Sequence, residues 1–142
     1  MTAPADSVDF YLEDHRWTHR LVVVFAPTDT TPALEAQRRR LQDVGDGFRD
    51  RDLLLLTLLG ETGEGTRRSA PEQSGRPLTR SATQRLYERF DVPRDSFRLV
   101  LVGKDGTEKR READPVSARS LFDTIDAMPM RQREMRDGNA PD

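Results

Sequence analysis

Residues 97–109, Phe-Arg-Leu-Val-Leu-Val-Gly-Lys-Asp-Gly-Thr-Glu-Lys, constrain the fold more than any other stretch of the chain. Leu99, Val100, Leu101 and Val102 form a near-continuous apolar run, the pattern of a strand covered on both faces rather than one alternating between core and water. Lys104-Asp105-Gly106 follows at once, and Asp-Gly after a strand predicts a tight reversal, because both residues tolerate the positive φ that such a turn requires. The chain is therefore expected to return as a polar edge strand over residues 107–111.

An interior strand needs other strands and covering helices, and the sequence supplies both. Leu21-Val-Val-Val-Phe25 and Leu53-Leu-Leu-Leu-Thr-Leu-Leu59 are apolar runs about thirty residues apart with a helix between them, the spacing of a parallel βαβ unit with a right-handed crossover. That helix is predicted to start at Thr31 as N-cap and Pro32 as first helical residue. It should run to about Val44, bury Leu34, Leu41 and Val44, and end at Gly45 and Gly47. A second helix, capped by Thr79 or Ser81, carries Ala82, Leu86 and Phe90 on one face with Tyr87 beside them. A third is predicted to open at Asp114-Pro115, to bury Val116, Leu121, Phe122 and Ile125, and to break at Pro129 before a short basic continuation. Near the N-terminus, Asp6 or Ser7 is expected to cap a turn bearing Val8, Phe10, Tyr11 and Leu12. Residues 60–77 show no periodicity and read as a flexible loop, and residues 137–142 as a disordered tail.

The resulting order is strand, helix, strand, helix, strand, hairpin strand, helix. Parallel pairing in the first half and antiparallel pairing in the second predict an α/β fold: one mixed four-stranded sheet in the order 4-3-1-2 with helices on both faces, in one domain over residues 1–136. This is the thioredoxin architecture.

Composition narrows the functions available. The net charge is -2, with acids and bases mixed along the chain, so neither nucleic acid nor a membrane is expected as a partner. There is no cysteine, which removes disulfides, thiol catalysis and cysteine metal sites. The first ten residues lack the basic start and apolar stretch of a secretory signal. The expectation is a cytoplasmic protein as the sequence stands, periplasmic or secreted where a signal peptide has been removed.

Four segments carry a resemblance to a known family: Arg20-Leu-Val-Val-Val-Phe-Ala-Pro27, Arg51-Asp52-Leu53, Val102-Gly-Lys-Asp-Gly106, and above all Ile125-Asp-Ala-Met-Pro-Met-Arg-Gln132 with Glu134-Met135. Over residues 17–136 the chain resembles the DUDES domain family, a peroxiredoxin-like group of uncharacterised bacterial proteins that is also built into animal sushi-repeat and matrix-associated proteins. The resemblance implies a thioredoxin-like fold, no established catalytic activity and, in animals, an association with secretion and cell adhesion.

Thioredoxins and peroxiredoxins place a reactive cysteine where the first strand meets its helix, because the helix N-terminus stabilises a thiolate. Here that corner is Pro27-Thr-Asp-Thr-Thr-Pro32, so Pro27, Asp29, Thr30 and Thr31 mark a vestigial active-site corner with no sulfur for thiol exchange or peroxide reduction. Ser96-Phe97 stands where thioredoxins carry a cis proline. The opposite pole is expected to gather Arg20 with Trp17 and His19, Lys104 with Asp105, and Asp126 with Met128, Met130 and Arg131. Two readings of this pole are open. Arg20, Lys104, Asp105, Asp126 and Arg131 form an anion or partner site, with arginine as a planar fork and methionine as an adaptable apolar surface. Alternatively they form an internal lock in which Arg131 pairs Asp126 or Asp105.

His15 and His19 have a metal-ligand spacing only if helical. In a segment entering a strand they would stand about 13 Å apart, so no metal is expected. Gly60-Glu-Thr-Gly-Glu-Gly-Thr66 lacks the lysine and the following helix of a phosphate loop. No cofactor is expected. The function these features support is a non-redox binding or structural module whose partner is a protein or a small anionic ligand, with homo-oligomerisation open. The alternative is an enzyme acting on a small anionic substrate at the Pro27–Pro32 corner or the Lys104/Arg131 pole.

Overall fold

The computed structural model describes residues 9–139. Asp6, Ser7 and Val8 of the expected N-terminal turn lie outside them. Along the chain a 3-10 turn (Leu12–His15) is followed by β1 (Arg20–Ala26), α1 (Pro32–Arg40), α2 (Gly45–Asp50), β2 (Leu53–Leu59), β3 (Gly65–Arg68) and β4 (Arg76–Pro77). Then come α3 (Arg80–Phe90), β5 (Arg98–Val102), β6 (Glu108–Glu112), α4 (Ala118–Asp126) and α5 (Pro129–Asn139).

β1 is buried along its whole length and sits mid-sheet, parallel to β2 and antiparallel to β5. β5 is interior, as its apolar run requires, and returns through Gly106 at φ +82° into β6. The sheet order is β4-β3-β2-β1-β5-β6. The four expected strands occupy the expected neighbouring positions, but the sheet has six strands rather than four. The extra pair comes from the segment read as loop: after Gly63 at φ +74°, β3 returns antiparallel to β2 and β4 pairs with β3. Without β3, the backbone of apolar β2 would be an open edge. Gly65 lets β3 approach closely, since a Cβ there would lie 2.8 Å from Leu58 Cδ2. Thr66, Arg67 and Arg68 show no apolar alternation, so periodicity could not reveal this strand. The final edges are blunt: β4 is two residues with a proline, and β6 is Glu-Lys-Arg-Arg-Glu, whose charges oppose strand pairing with a second copy.

Alternate residues of β1 build the two cores. Leu21, Val23 and Phe25 face α3, where Phe25 meets Tyr87 edge-on at a centroid distance of 4.9 Å. Tyr87 donates to the Leu58 carbonyl at 3.3 Å, and its burial pushes the phenol up to about 12. Val22, Val24 and Ala26 face the other way, onto Leu34, Phe48, Leu121 and Ile125 from α1, α2 and α4.

Three helix boundaries differ from expectation. The helix expected over residues 32–44 ends at Arg40, and Asp43 at φ +59° turns the chain so that Gly45 and Gly47 fall inside α2 instead of ending α1. Burial of Phe48 anchors that short helix, and a Cβ on Gly47 would lie 2.6 Å from the Phe122 ring. α4 begins later than Asp114-Pro115, at the Ser117 cap, whose hydroxyl accepts from Ser120 N–H at 3.1 Å. The helical region breaks between Asp126 and Pro129, close to where the break was expected, and Pro129 opens the continuation α5, because a proline in the first turn lacks only a donor that has no helical partner there. α5 then runs past Asp137, where the tail was expected.

Gln37 on α1 is 1% exposed and clamps the chain before α4, donating to the Val116 carbonyl at 2.8 Å and accepting from Val116 N–H at 2.8 Å. Gln37→Leu leaves both backbone groups buried and unpaired. At about 1–3 kcal/mol for each such group, chemical denaturation should show a clear loss; a variant as stable as the parent would mean that water replaces the amide.

Candidate functional site

The start of β1, the turn after β5 and α5 converge at one end of the sheet. Arg20, only 1% exposed, reaches Glu134 on α5 with both guanidinium ends, Nη1 to Oε1 and Nη2 to Oε2 at 3.1 Å each. Lys104, 8% exposed, donates to Glu134 Oε2 at 2.8 Å and to Asp52 Oδ2 at 2.9 Å. A second fork joins Arg51 to Asp126 at 3.0 and 2.8 Å, with the Arg51 guanidinium 4.1 Å above the Phe122 ring. Arg131, 5% exposed, donates to Asp126 Oδ1 at 3.1 Å and to the carbonyl and carboxylate of Asp50 at 2.9 and 2.6 Å. The halves meet where Arg20 Nη1 donates to the Arg51 carbonyl at 3.0 Å. Four cations and four carboxylates thus neutralise one another.

Burial raises the Glu134 carboxyl, but the hydrogen bonds from Arg20 and Lys104 outweigh it and hold the group below the ordinary range. Asp126 shows the same balance, with burial opposed by Arg51 and Arg131. Arg20 Nε is buried without a hydrogen-bond partner.

Of the expected pole residues, Arg20, Lys104, Asp126 and Arg131 join in this network. Asp105 does not: it accepts from Thr107 N–H at 3.0 Å and from Lys109 Nζ at 2.8 Å, and the Lys109 hydrogen bond carries it down to about 2. Asp50, Arg51, Asp52 and Glu134 complete the network without having been singled out, although Arg51-Asp52 and Glu134 lie within the motifs that carry the resemblance. Beside the network is a hollow of about 490 Å³ between Lys104, Asp105 and Lys109 on one side and Thr124 and residues 127–130 on the other.

The vestigial corner lies at the far end of β1, about 20 Å away for a seven-residue strand. Its hydroxyls are engaged in holding its own turn. Thr31 Oγ1 accepts from Thr28 N–H at 3.1 Å instead of capping α1, Thr30 Oγ1 is 3.3 Å from Thr28 Oγ1, and Asp29 takes Arg38 at 2.7 Å. Pro27 contributes its carbonyl, which accepts from Glu61 N–H at 3.0 Å.

His15 and His19 correct the sequence reading. The segment is a turn rather than a strand entry, with His19 N–H donating to the His15 carbonyl at 3.0 Å, so offsets of four become neighbours and the two Nδ1 atoms stand 3.2 Å apart. Among the described residues no group of three or more histidines, acids or cysteines is placed to hold a metal. No helix among them is long and apolar enough to cross a membrane.

A mixed sheet between helical layers, with a cysteine-free corner after its central strand, has the thioredoxin/peroxiredoxin-like α/β fold. Solved structures agree on the fold. The reduced 2-Cys peroxiredoxin of Plasmodium vivax superposes with a TM-score of 0.60 at 15% identity, over 86% of this chain and 84% of that one. Thioredoxin peroxidase I of Plasmodium yoelii gives 0.57 at 19% identity, over 92% and 82%.

The chain belongs to the DUF4174 family, a domain of unknown function, whose profile matches residues 11–134. It is 24% identical to the sushi repeat-containing protein SRPX2 of Xenopus laevis over 130 residues, 92% of this chain and 28% of that protein. It is 31% identical to the human sushi repeat-containing protein SRPX over 122 residues, 82% and 24%. The coiled-coil domain-containing protein 80 of Danio rerio is 29% identical over 91% of this chain and 16% of its own length. The resemblance to the group found in animal sushi-repeat proteins is thereby borne out. These relatives are animal proteins, so they lend no support to a bacterial setting, and the chain spans only about a quarter of the length of the sushi-repeat relatives.

Proposed function

We propose that this domain is a non-redox binding module that takes a protein segment or a small anionic ligand in the hollow beside the Lys104 network. What carries the reading is the division of labour at this pole. The arginines and their acids are paired internally and act as scaffold, while Lys109 and residues 127–130 border open space. A hollow of a few hundred Å³ with apolar walls and a few polar groups is the usual form of a small-ligand or side-chain pocket. Met128 and Met130 supply adaptable apolar contact. Lys109, paired with Asp105 across a half-exposed bridge, supplies a cation that an incoming carboxylate could take over. The enzyme alternative draws no support from this arrangement, in which Arg20, Arg51, Lys104 and Arg131 all serve carboxylates of the fold. The animal relatives and the secretion associated with their group favour a setting outside the cytoplasm over the cytoplasmic expectation.

The test is a thermal-shift screen of small carboxylates and phosphates together with affinity capture on the intact chain. A ligand at a hundred times its dissociation constant adds about 2.7 kcal/mol, a rise of several degrees. That rise should vanish in Lys109→Ala and Met130→Asp, both of which leave the buried network intact. Binding that survives both substitutions would place the site elsewhere.

A further inference from the structure

We infer that His15 and His19 form a proton-operated latch that fastens the N-terminal strap, residues 9–18, to the sheet, and that the strap loosens when both imidazoles are charged. The strap is held at several points. Phe10 is buried in the core under α3, Asp9 takes Arg85 at 2.6 Å, and Trp17 N–H donates to the Lys104 carbonyl at 2.6 Å. Between these points the chain folds back on itself through the 3.2 Å contact of the two Nδ1 atoms, while the Phe10 ring stacks on His15 at 4.6 Å.

That contact requires an Nδ1–H on one ring and a bare Nδ1 on the other. A first proton can be taken on the Nε2 of the donor ring without disturbing it. A second must enter the bare Nδ1, where it replaces a hydrogen bond with two N–H groups facing each other and two adjacent positive charges. The pair therefore titrates as one system in two steps, and the latch fails at the second.

The surroundings push the same way. Burial is the largest influence on each ring and favours the neutral form. The positive charge of Arg67 on β3 opposes the charging of both rings, as does that of Lys104 for His19; the negative charges of Asp14 on His15 and of Asp52 on His19 act the other way but do not reverse it. Both histidines are thus held below their ordinary value. The neutral pair is the folded preference, with full stability above about pH 6.5, and stability falls as pH drops below that value because the unfolded chain then binds more protons. The Asp9 bridge does not compete as a trigger, since Arg85 holds that carboxylate down to about 2.

The chain has two histidines and one tryptophan, each directly observable. Proton NMR of the imidazoles between pH 4 and 8, in the presence of a chelator, should show two titration steps separated by more than about one pH unit, both below the ordinary value. Trp17 fluorescence should change with the lower step only. In His15→Gln/His19→Gln that fluorescence step should disappear while circular dichroism at neutral pH is retained. Two histidines titrating together near 6.5, or a Trp17 transition that persists in the double variant, would overturn the latch. The titration of the unsubstituted chain decides the matter even where the double variant does not fold.

Discussion

Replacing Glu134 with alanine is expected to lower the unfolding free energy by about 3–5 kcal/mol, the range for removing one partner of a buried ion pair. The reason lies in what remains. Arg20 and Lys104, 1% and 8% exposed, both direct hydrogen bonds at this one carboxylate, and without it Arg20 keeps only a backbone carbonyl. An exposed pair would contribute about 0–1 kcal/mol, so a loss under about 1 kcal/mol on urea denaturation would mean that the network is solvated in solution. Removing Arg20, Lys104 and Glu134 together for methionine and leucine should cost much less than Glu134→Ala alone, because a buried charge without a partner, rather than the absence of an attraction, is the destabilising element.

The same carboxylates set the acid limit of the fold. Glu134 and Asp126 are held below their unfolded values, so their contribution is complete above about pH 4.5 and disappears as pH falls through the folded values. Glu134→Gln should flatten this part of the stability profile. His15→Gln/His19→Gln should leave this part of the profile in place, which separates it from the histidine transition.

Phe48→Ala should cost about 3–5 kcal/mol by cavity formation in the core. Its ring is fully buried between α1, α4 and the sheet, and meets Phe122 edge-on at 6.1 Å. The surroundings cannot easily collapse onto the gap, since Gly47 already stands against Phe122 and the Arg51 guanidinium lies over that ring. Equilibrium unfolding measures the loss directly. A cost near that of an exposed substitution, about 0.5 kcal/mol, would show that α2 frays in solution and that the second core closes without it.

Both variants bear on how much was legible in the chain itself. The three apolar runs and the Asp-Gly turn determined the central sheet, because a strand buried on both faces leaves a pattern that hardly depends on its neighbours. The resemblance in residues 125–132 pointed to the right family, and the missing sulfur excluded thiol chemistry. Gly45, by contrast, stops a helix in most contexts, and only the burial of Phe48 turned residues 45–50 into one. β3 exists because β2 needs a partner at its open edge, a requirement of the assembled sheet that Thr66, Arg67 and Arg68 do not advertise.

The pole shows the same boundary. That Arg20, Lys104 and Arg131 would share one end of the molecule followed from strand direction alone. Which acid each would take was legible only in part: Arg131 takes Asp126, one of the two partners of the internal-lock reading, but also Asp50, while Lys104 takes Asp52 and Glu134 and Asp105 turns to Lys109. Strand order is set by local hydrophobic pattern, which a linear sequence carries. Ion pairing is set by ångström-scale distances between side chains far apart in the chain, and only the packed tertiary structure fixes those.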